Sequence, residues 1–126
     1  MAVEMLDGSP HGATVHFACS ENPLLFFFET LSDYRKSEPL LGREVSRATM
    51  VIGTDEINRK TLQMDGEVRV INDIEKDLYS EVYFGKFPNK LEKSKDPKFV
   101  RFLFVPKWWR FTDWADKEGK KILIST

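Results

Sequence analysis

The feature that most limits what this chain can fold into is the shortness of its apolar segments. The most concentrated, Leu24-Leu25-Phe26-Phe27-Phe28, is five residues long and follows the turn signal Asn22-Pro23. Five large apolar residues without alternation read as a strand covered on both faces. A membrane-crossing helix needs about 20 apolar residues, and no run approaches that length. The apolar residues are nonetheless plentiful, at 41% of 126 residues with 13% aromatic. A chain of this size is expected to form one domain and to bury roughly two-thirds of its unfolded surface.

Turn signals cut the rest of the chain into similar pieces. Residues 2–6 read as a strand that turns at Asp7-Gly8-Ser9-Pro10, and residues 13–19 (ATVHFAC) as the returning strand. Ser32 is placed to cap a short helix over residues 33–36, with Pro39 and Gly42 interrupting anything longer. Strands are predicted over 48–52 and 61–71, with Asp65-Gly66 as a bulge or bend in the second. Residues 72–85 carry the best helical pattern: a capping box of Asn72 with Glu75, then Ile74, Leu78 and Val82 on one stripe. Residues 87–97 read as loop, 100–105 and 108–111 as strands separated by Pro106, and 122–124 as an edge strand. No helix–strand alternation of the dinucleotide-binding type and no glycine-rich phosphate fingerprint is present. The pattern predicts a mostly β domain, a small antiparallel barrel with one or two side helices.

Charge is split along the chain, although the net is only -1. Residues 1–85 hold 8 Lys/Arg against 15 Asp/Glu, and residues 86–126 hold 11 against 5. The lysines at 86, 90, 93, 95 and 98 read as a solvated loop, so no nucleic-acid partner is expected. No secretory leader is visible, and a cytoplasmic location without a membrane partner is the default. The single cysteine, Cys19, leaves no internal disulfide and no cysteine-based zinc site, and reads as a small buried hydrophobe. His11 and His16 lie five apart, on opposite faces of any regular strand, so no shared metal site is expected.

No catalytic constellation stands out. Arg35-Lys36 follows the apolar strand and the Glu29-Thr30-Leu31-Ser32 connection, and is either a solvated patch or a phosphate cradle of cations, hydroxyls and helix-start amides. His16 is either a strand residue or faces a ligand. Gln63, between Leu62 and Met64, either makes an edge hydrogen bond or pairs with a flat heterocycle. The cluster Trp108-Trp109-Arg110-Phe111 through Trp114 is core, subunit interface or the wall of a ring-binding cleft.

GSPHGATVHF at 8–17, LLFFFETLSDYRK at 24–36, TLQMDGEVRVI at 61–71 and FLFVPKWWRFTDW at 102–114 together resemble the pyridoxamine 5'-phosphate oxidase-like, FMN-binding split-barrel family. The resemblance covers nearly the whole chain. It implies a six-stranded antiparallel split β-barrel of Greek-key type and a homodimer with FMN in a cleft between subunits. It also implies an additional N-terminal helix, which this sequence does not show. By the same resemblance Arg35 and Lys36 hold the FMN phosphate, and Thr30 and Ser32 add hydroxyl or backbone donors. Thr14, Val15 and His16 run along the flavin ring, Gln63 reaches it from the middle strand, and Trp109 lies near its edge, from the partner subunit. Ala13 stands where an arginine is expected, and the Arg-x-His substrate pair of true pyridoxamine phosphate oxidases has no counterpart. The implied function is an FMN-dependent oxidoreductase passing a hydride or electrons between a small organic donor and an acceptor, without the vitamin B6 activity. The alternative is a flavin-, haem- or deazaflavin-binding protein with a storage, relay or stress role.

Overall fold

The computed structural model describes residues 1–53 and 55–125. It contains strands β1 (Ala2–Glu4), β2 (Pro10–Gly12), β3 (Ala18–Glu21), β4 (Leu24–Leu31), β5 (Ser46–Ile52), β6 (Lys60–Val70), β7 (Phe99–Asp113) and β8 (Lys121–Ile124). All pair antiparallel in the order β2-β1-β5-β6-β7-β4-β3, with β8 also on β7. The mostly β, antiparallel expectation holds. The count of six strands does not: the sheet has eight, and its path stays open between β2 and β3.

The apolar run that reads as covered on both faces is so covered. Phe26 and Phe28 of β4 enter a core with Val3, Met50, Met64 and Phe104 from four other strands, so the sheet curls around that core. Phe27 points the other way, into a second cluster with Tyr79, Tyr83, Phe84 and Leu103. Each such buried side chain contributes about 1.5–3 kcal/mol.

Strand β7 runs unbroken through Pro106, where two strands separated by that residue were predicted. Pro106 falls between its pairing with β4, which ends at Phe104, and with β8, which begins at Arg110, where among the described residues β6 is the one strand paired with it. A residue without an N–H is tolerated on such a one-sided stretch. The register with β6 slips between Asp65 and Gly66, as the bulge predicts. Gly66 is needed there, since a Cβ would lie 2.2 Å from the Val105 carbonyl oxygen.

Three local expectations are corrected. The strand over 13–19 survives only as its end, because residues 13–17 must cross from β2 at one open edge of the sheet to β3 at the other. Cys19 is exposed, since β3 is an edge strand whose alternate residue, Ala18, takes the buried side. The helix capped by Ser32 is absent; residues 32–36 form turns, and α1 is Ser37–Gly42. Pro39 is accommodated because a first-turn residue needs no N–H partner.

The predicted helix over 72–85 forms as a 3-10 turn (Asp73–Glu75), α2 (Lys76–Tyr79) and a π turn (Ser80–Phe84). Leu78 and Val82 of the predicted stripe pack against the second cluster, and Ile74, in the 3-10 turn, drops out of it. Ile74 is 91% exposed, and Tyr79, Tyr83 and Phe84 are buried instead. The capping box is present: Glu75 N–H donates to Asn72 Oδ1 (3.0 Å), and Asn72 N–H donates to Glu75 Oε1 (2.9 Å). Arg69 of β6 donates to both Glu75 oxygens, at 2.7 and 2.6 Å, and holds that carboxyl below its ordinary value of 4.5.

A carboxylate with a depressed pKa stabilises the fold above its unfolded value, and that contribution disappears as pH falls through the folded one. Glu75→Gln should therefore cost about 1–2 kcal/mol at neutral pH in urea unfolding. The deficit relative to the parent should close as pH is lowered below 4.5.

Candidate functional site

The end of β4 and the crossing segment 13–17 face one another across a cleft of about 200 Å³. Thr30 is 4% exposed, and its Oγ1 has no hydrogen-bond partner among the described residues. A buried hydroxyl left unpaired is costly, so Thr30 Oγ1 would gain from a water or a ligand group that reached it. Beyond Leu31 the chain is pinned by Ser32 N–H donating to the Lys98 carbonyl (2.8 Å) and Ser37 Oγ donating to the Leu31 carbonyl (2.7 Å). The turns between them carry Tyr34 and Lys36 to the rim, with the Lys36 ammonium 4.6 Å from the Tyr34 ring centroid. Burial pushes the Lys36 ammonium below its ordinary pKa of 10.5. An anion in the cleft would relieve that penalty.

The third wall comes from the lysine-rich stretch read as a solvated loop. Lys90 and Lys93 line the cleft together with Phe99. Lys90 Nζ donates to His16 Nδ1 at 2.9 Å and lies 4.5 Å from the Phe87 ring centroid. Its neighbour Lys86 donates to the Phe17 carbonyl at 2.7 Å. These two lysines therefore tie the crossing segment to the helix. The interleaving of Tyr83, Lys86, Phe87 and Lys90 at helical spacing was the sequence signal for this, since such residues share a face.

Glu29 is the carboxylate in the cleft, and it is engaged elsewhere. Tyr79 OH donates to its Oε2 at 3.1 Å, and Ser94 Oγ donates to its Oε1. Burial, with the Glu29 charge, pushes the Tyr79 hydroxyl well above its ordinary pKa, so it remains a donor. Among the described residues no ion pair joins Lys36, Lys90 or Lys93 to a carboxylate. The cleft is electropositive.

Of the nine residues singled out from sequence, Thr14, Val15, His16, Thr30 and Lys36 meet here. Ser32 and Arg35 are exposed and outside the lining. Arg35 instead adds to the hydrogen bonds from Ser9 that lower the Asp7 pKa. Gln63 and Trp109 sit on the neighbouring strands β6 and β7. The Gln63 Oε1 accepts from Arg110 Nη2 at 2.8 Å, and Trp109 packs against the core that contains Phe26 and Phe28. A second hollow, of about 260 Å³, shares Thr14 and Val15 with the cleft and reaches Val51, which pairs in register with Gln63. Among the described residues no cluster of His, Cys, Asp or Glu could hold a metal, and no helix is long and apolar enough to cross a membrane.

Neither a protein-family model nor a curated protein matches the chain in sequence. Solved structures match it in fold. A haem-binding protein from Mycobacterium smegmatis superposes with a TM-score of 0.75 at 9% identity, over 99% of this chain and 50% of its own. A pyridoxamine 5'-phosphate oxidase-related, FMN-binding protein from Nostoc punctiforme gives 0.62 at 16% identity, over 98% of this chain and 76% of its own. A haem storage protein from Vibrio cholerae gives 0.63 at 17%, over 84% and 78%. The chain therefore has the fold of the pyridoxamine 5'-phosphate oxidase-related proteins, which haem-binding proteins share. It spans about half the length of the Mycobacterium smegmatis protein, at 50%, and of a matching protein from Agrobacterium tumefaciens, at 48%.

The orphan hydroxyl gives a direct test of the cleft. Thr30→Val keeps the shape and removes the unpaired group, so it should leave stability equal or raise it by about 1 kcal/mol in urea unfolding. A loss of comparable size would mean that the Thr30 hydroxyl is already satisfied.

Proposed function

We propose that this protein is a flavin-binding protein that takes FMN in the cleft and acts as an oxidoreductase on a small organic donor. What carries the reading is that one cleft is lined both by Thr30, whose buried hydroxyl has no partner among the described residues, and by Lys36, at the place the resemblance gives to the FMN phosphate. Both suit a phosphate monoester: one is a free donor, the other a cation partly withdrawn from water. The cleft is smaller than the roughly 300–1,000 Å³ of ordinary ligand pockets, so it fits the phosphate end rather than the whole cofactor. The ring would lie along residues 14–16 toward the second hollow, on whose far side Gln63 stands. Arg110 holds the Gln63 oxygen, which leaves the carboxamide NH2 as the group offered to a ring acceptor. FMN supplies the hydride and electron chemistry, while the chain binds, orients and shields it.

The homodimer belongs to the same proposal. Val51, Gln63, Arg110 and Ile124 align in register across β5, β6, β7 and β8. Val51 and Ile124, at the two ends of this row, are 53% and 55% exposed, with Trp108 exposed nearby. A second subunit would cover these side chains and close the ring side of the cleft.

Haem is the second reading, favoured by one observation. The Lys90 ammonium needs an acceptor, so His16 Nδ1 carries no proton in this arrangement and Nε2 has no partner among the described residues.

Absorption spectra of the purified protein titrated separately with FMN and with hemin discriminate the two. Saturable FMN uptake that Lys36→Ala weakens by roughly tenfold or more is expected. Because the Lys36 pKa is lowered and its charged form binds phosphate, affinity should decline with rising pH before 10.5 is reached. Uptake of hemin alone, abolished by His16→Ala, would replace the flavin reading.

A further inference from the structure

We infer that the segment carrying Lys90 and Lys93 is the second jaw of a phosphate-monoester site, closing on the anion from the side opposite Thr30 and Lys36. The inference rests on the flavin reading for the name of the ligand. Its anion chemistry rests on the cleft alone.

Among the described residues neither lysine forms an ion pair. The ammonium of Lys90 is held by a neutral imidazole nitrogen at 2.9 Å, by the Tyr83 hydroxyl at 3.4 Å and by the Phe87 face at 4.5 Å. These partners orient the cation without neutralising it. Lys93 follows Glu92, but that carboxylate pairs with Lys95 at 2.8 Å. Across the cleft Glu29 is occupied by the hydroxyls of Tyr79 and Ser94. Three lysines therefore line one small space together with Thr30, whose buried hydroxyl lacks a partner among the described residues.

With three lysines and Glu29 lining the cleft, a bound carboxylate, with one charge and two oxygens, would offset only half of the excess positive charge. A phosphate monoester brings close to two charges and three acceptor oxygens, which matches it. The consequence is specificity. The site should separate a phosphorylated ligand from the same ligand without its phosphate.

The test compares the parent protein, Lys93→Gln and the double variant Lys90→Gln/Lys93→Gln. Glutamine keeps much of each side chain's length and removes its charge. Affinities for FMN and riboflavin are measured by fluorescence quenching, and amide resonances are followed during titration with inorganic phosphate. Circular dichroism checks folding, and Lys93→Gln, at an exposed position, carries the test if the double variant is misfolded. FMN affinity should fall about threefold in the single variant and roughly tenfold in the double, with riboflavin unchanged. Parent-like FMN affinity in a folded variant overturns the second jaw while leaving the flavin reading intact. If the parent binds no FMN, phosphate-induced shifts at Thr30, Lys36 and Lys93 that the variants lose still support the anion site, and the flavin reading alone fails. Absence of those shifts in the parent overturns both.

Discussion

The antiparallel pairing of β6 with β7 is the constraint on which the rest of the structure depends. It runs from Lys60 opposite Asp113 to Val70 opposite Phe102, and every other part of the fold is placed relative to it. One half of β7 carries β4, and with it the second aromatic cluster under the helix. The other half carries β8. The bulge at Asp65-Gly66 lets this long ladder bend, which the curled core requires. Antiparallel ladders of this length specify register strongly, because a one-residue slip would turn Met64, Val68, Phe102 and Phe104 out of the core.

The cleft is a by-product of how that sheet fails to close. Its two open edges are β2 and β3, neighbours in sequence, so residues 13–17 have to bridge them without regular pairing. The bridge is held by Lys86 and Lys90 from the helix side, and it faces the end of β4 where Thr30 is buried. Non-regular backbone and unpaired cations are thus concentrated where a ligand could use them. The solved structures of this fold include both FMN- and haem-binding proteins, so the fold by itself names no ligand for this chain.

Much of this was legible in the residues, and the exceptions share a physical cause. Runs such as Leu24–Phe28 and the Asn72/Glu75 capping box declare themselves through local chemistry, and both formed. Thr30 and Lys36 could be picked because a strand end beside cations is a local pattern, whereas Thr14, Val15 and the ring-side place of His16 came from the family resemblance alone. What local patterns miss is which edge a segment must cross. Residues 13–17 look like a strand and cannot be one across the gap between β2 and β3. Lys90 looks solvated until the tertiary fold brings His16, 74 residues away in sequence, against it. Ile74 fits an α-helical stripe but lies in the 3-10 turn ahead of α2 and is left exposed, while Leu78 and Val82 keep their core contacts beside Tyr79 and Tyr83.

The most direct measurement of the central claim is the crystal structure of the protein grown with FMN. The account predicts the phosphorus atom between the Thr30 hydroxyl and the Lys36 ammonium, with the ring directed along residues 14–16 toward Gln63. A flavin bound with its phosphate outside this cleft, or a cleft filled instead by a side chain of a second subunit, would contradict it.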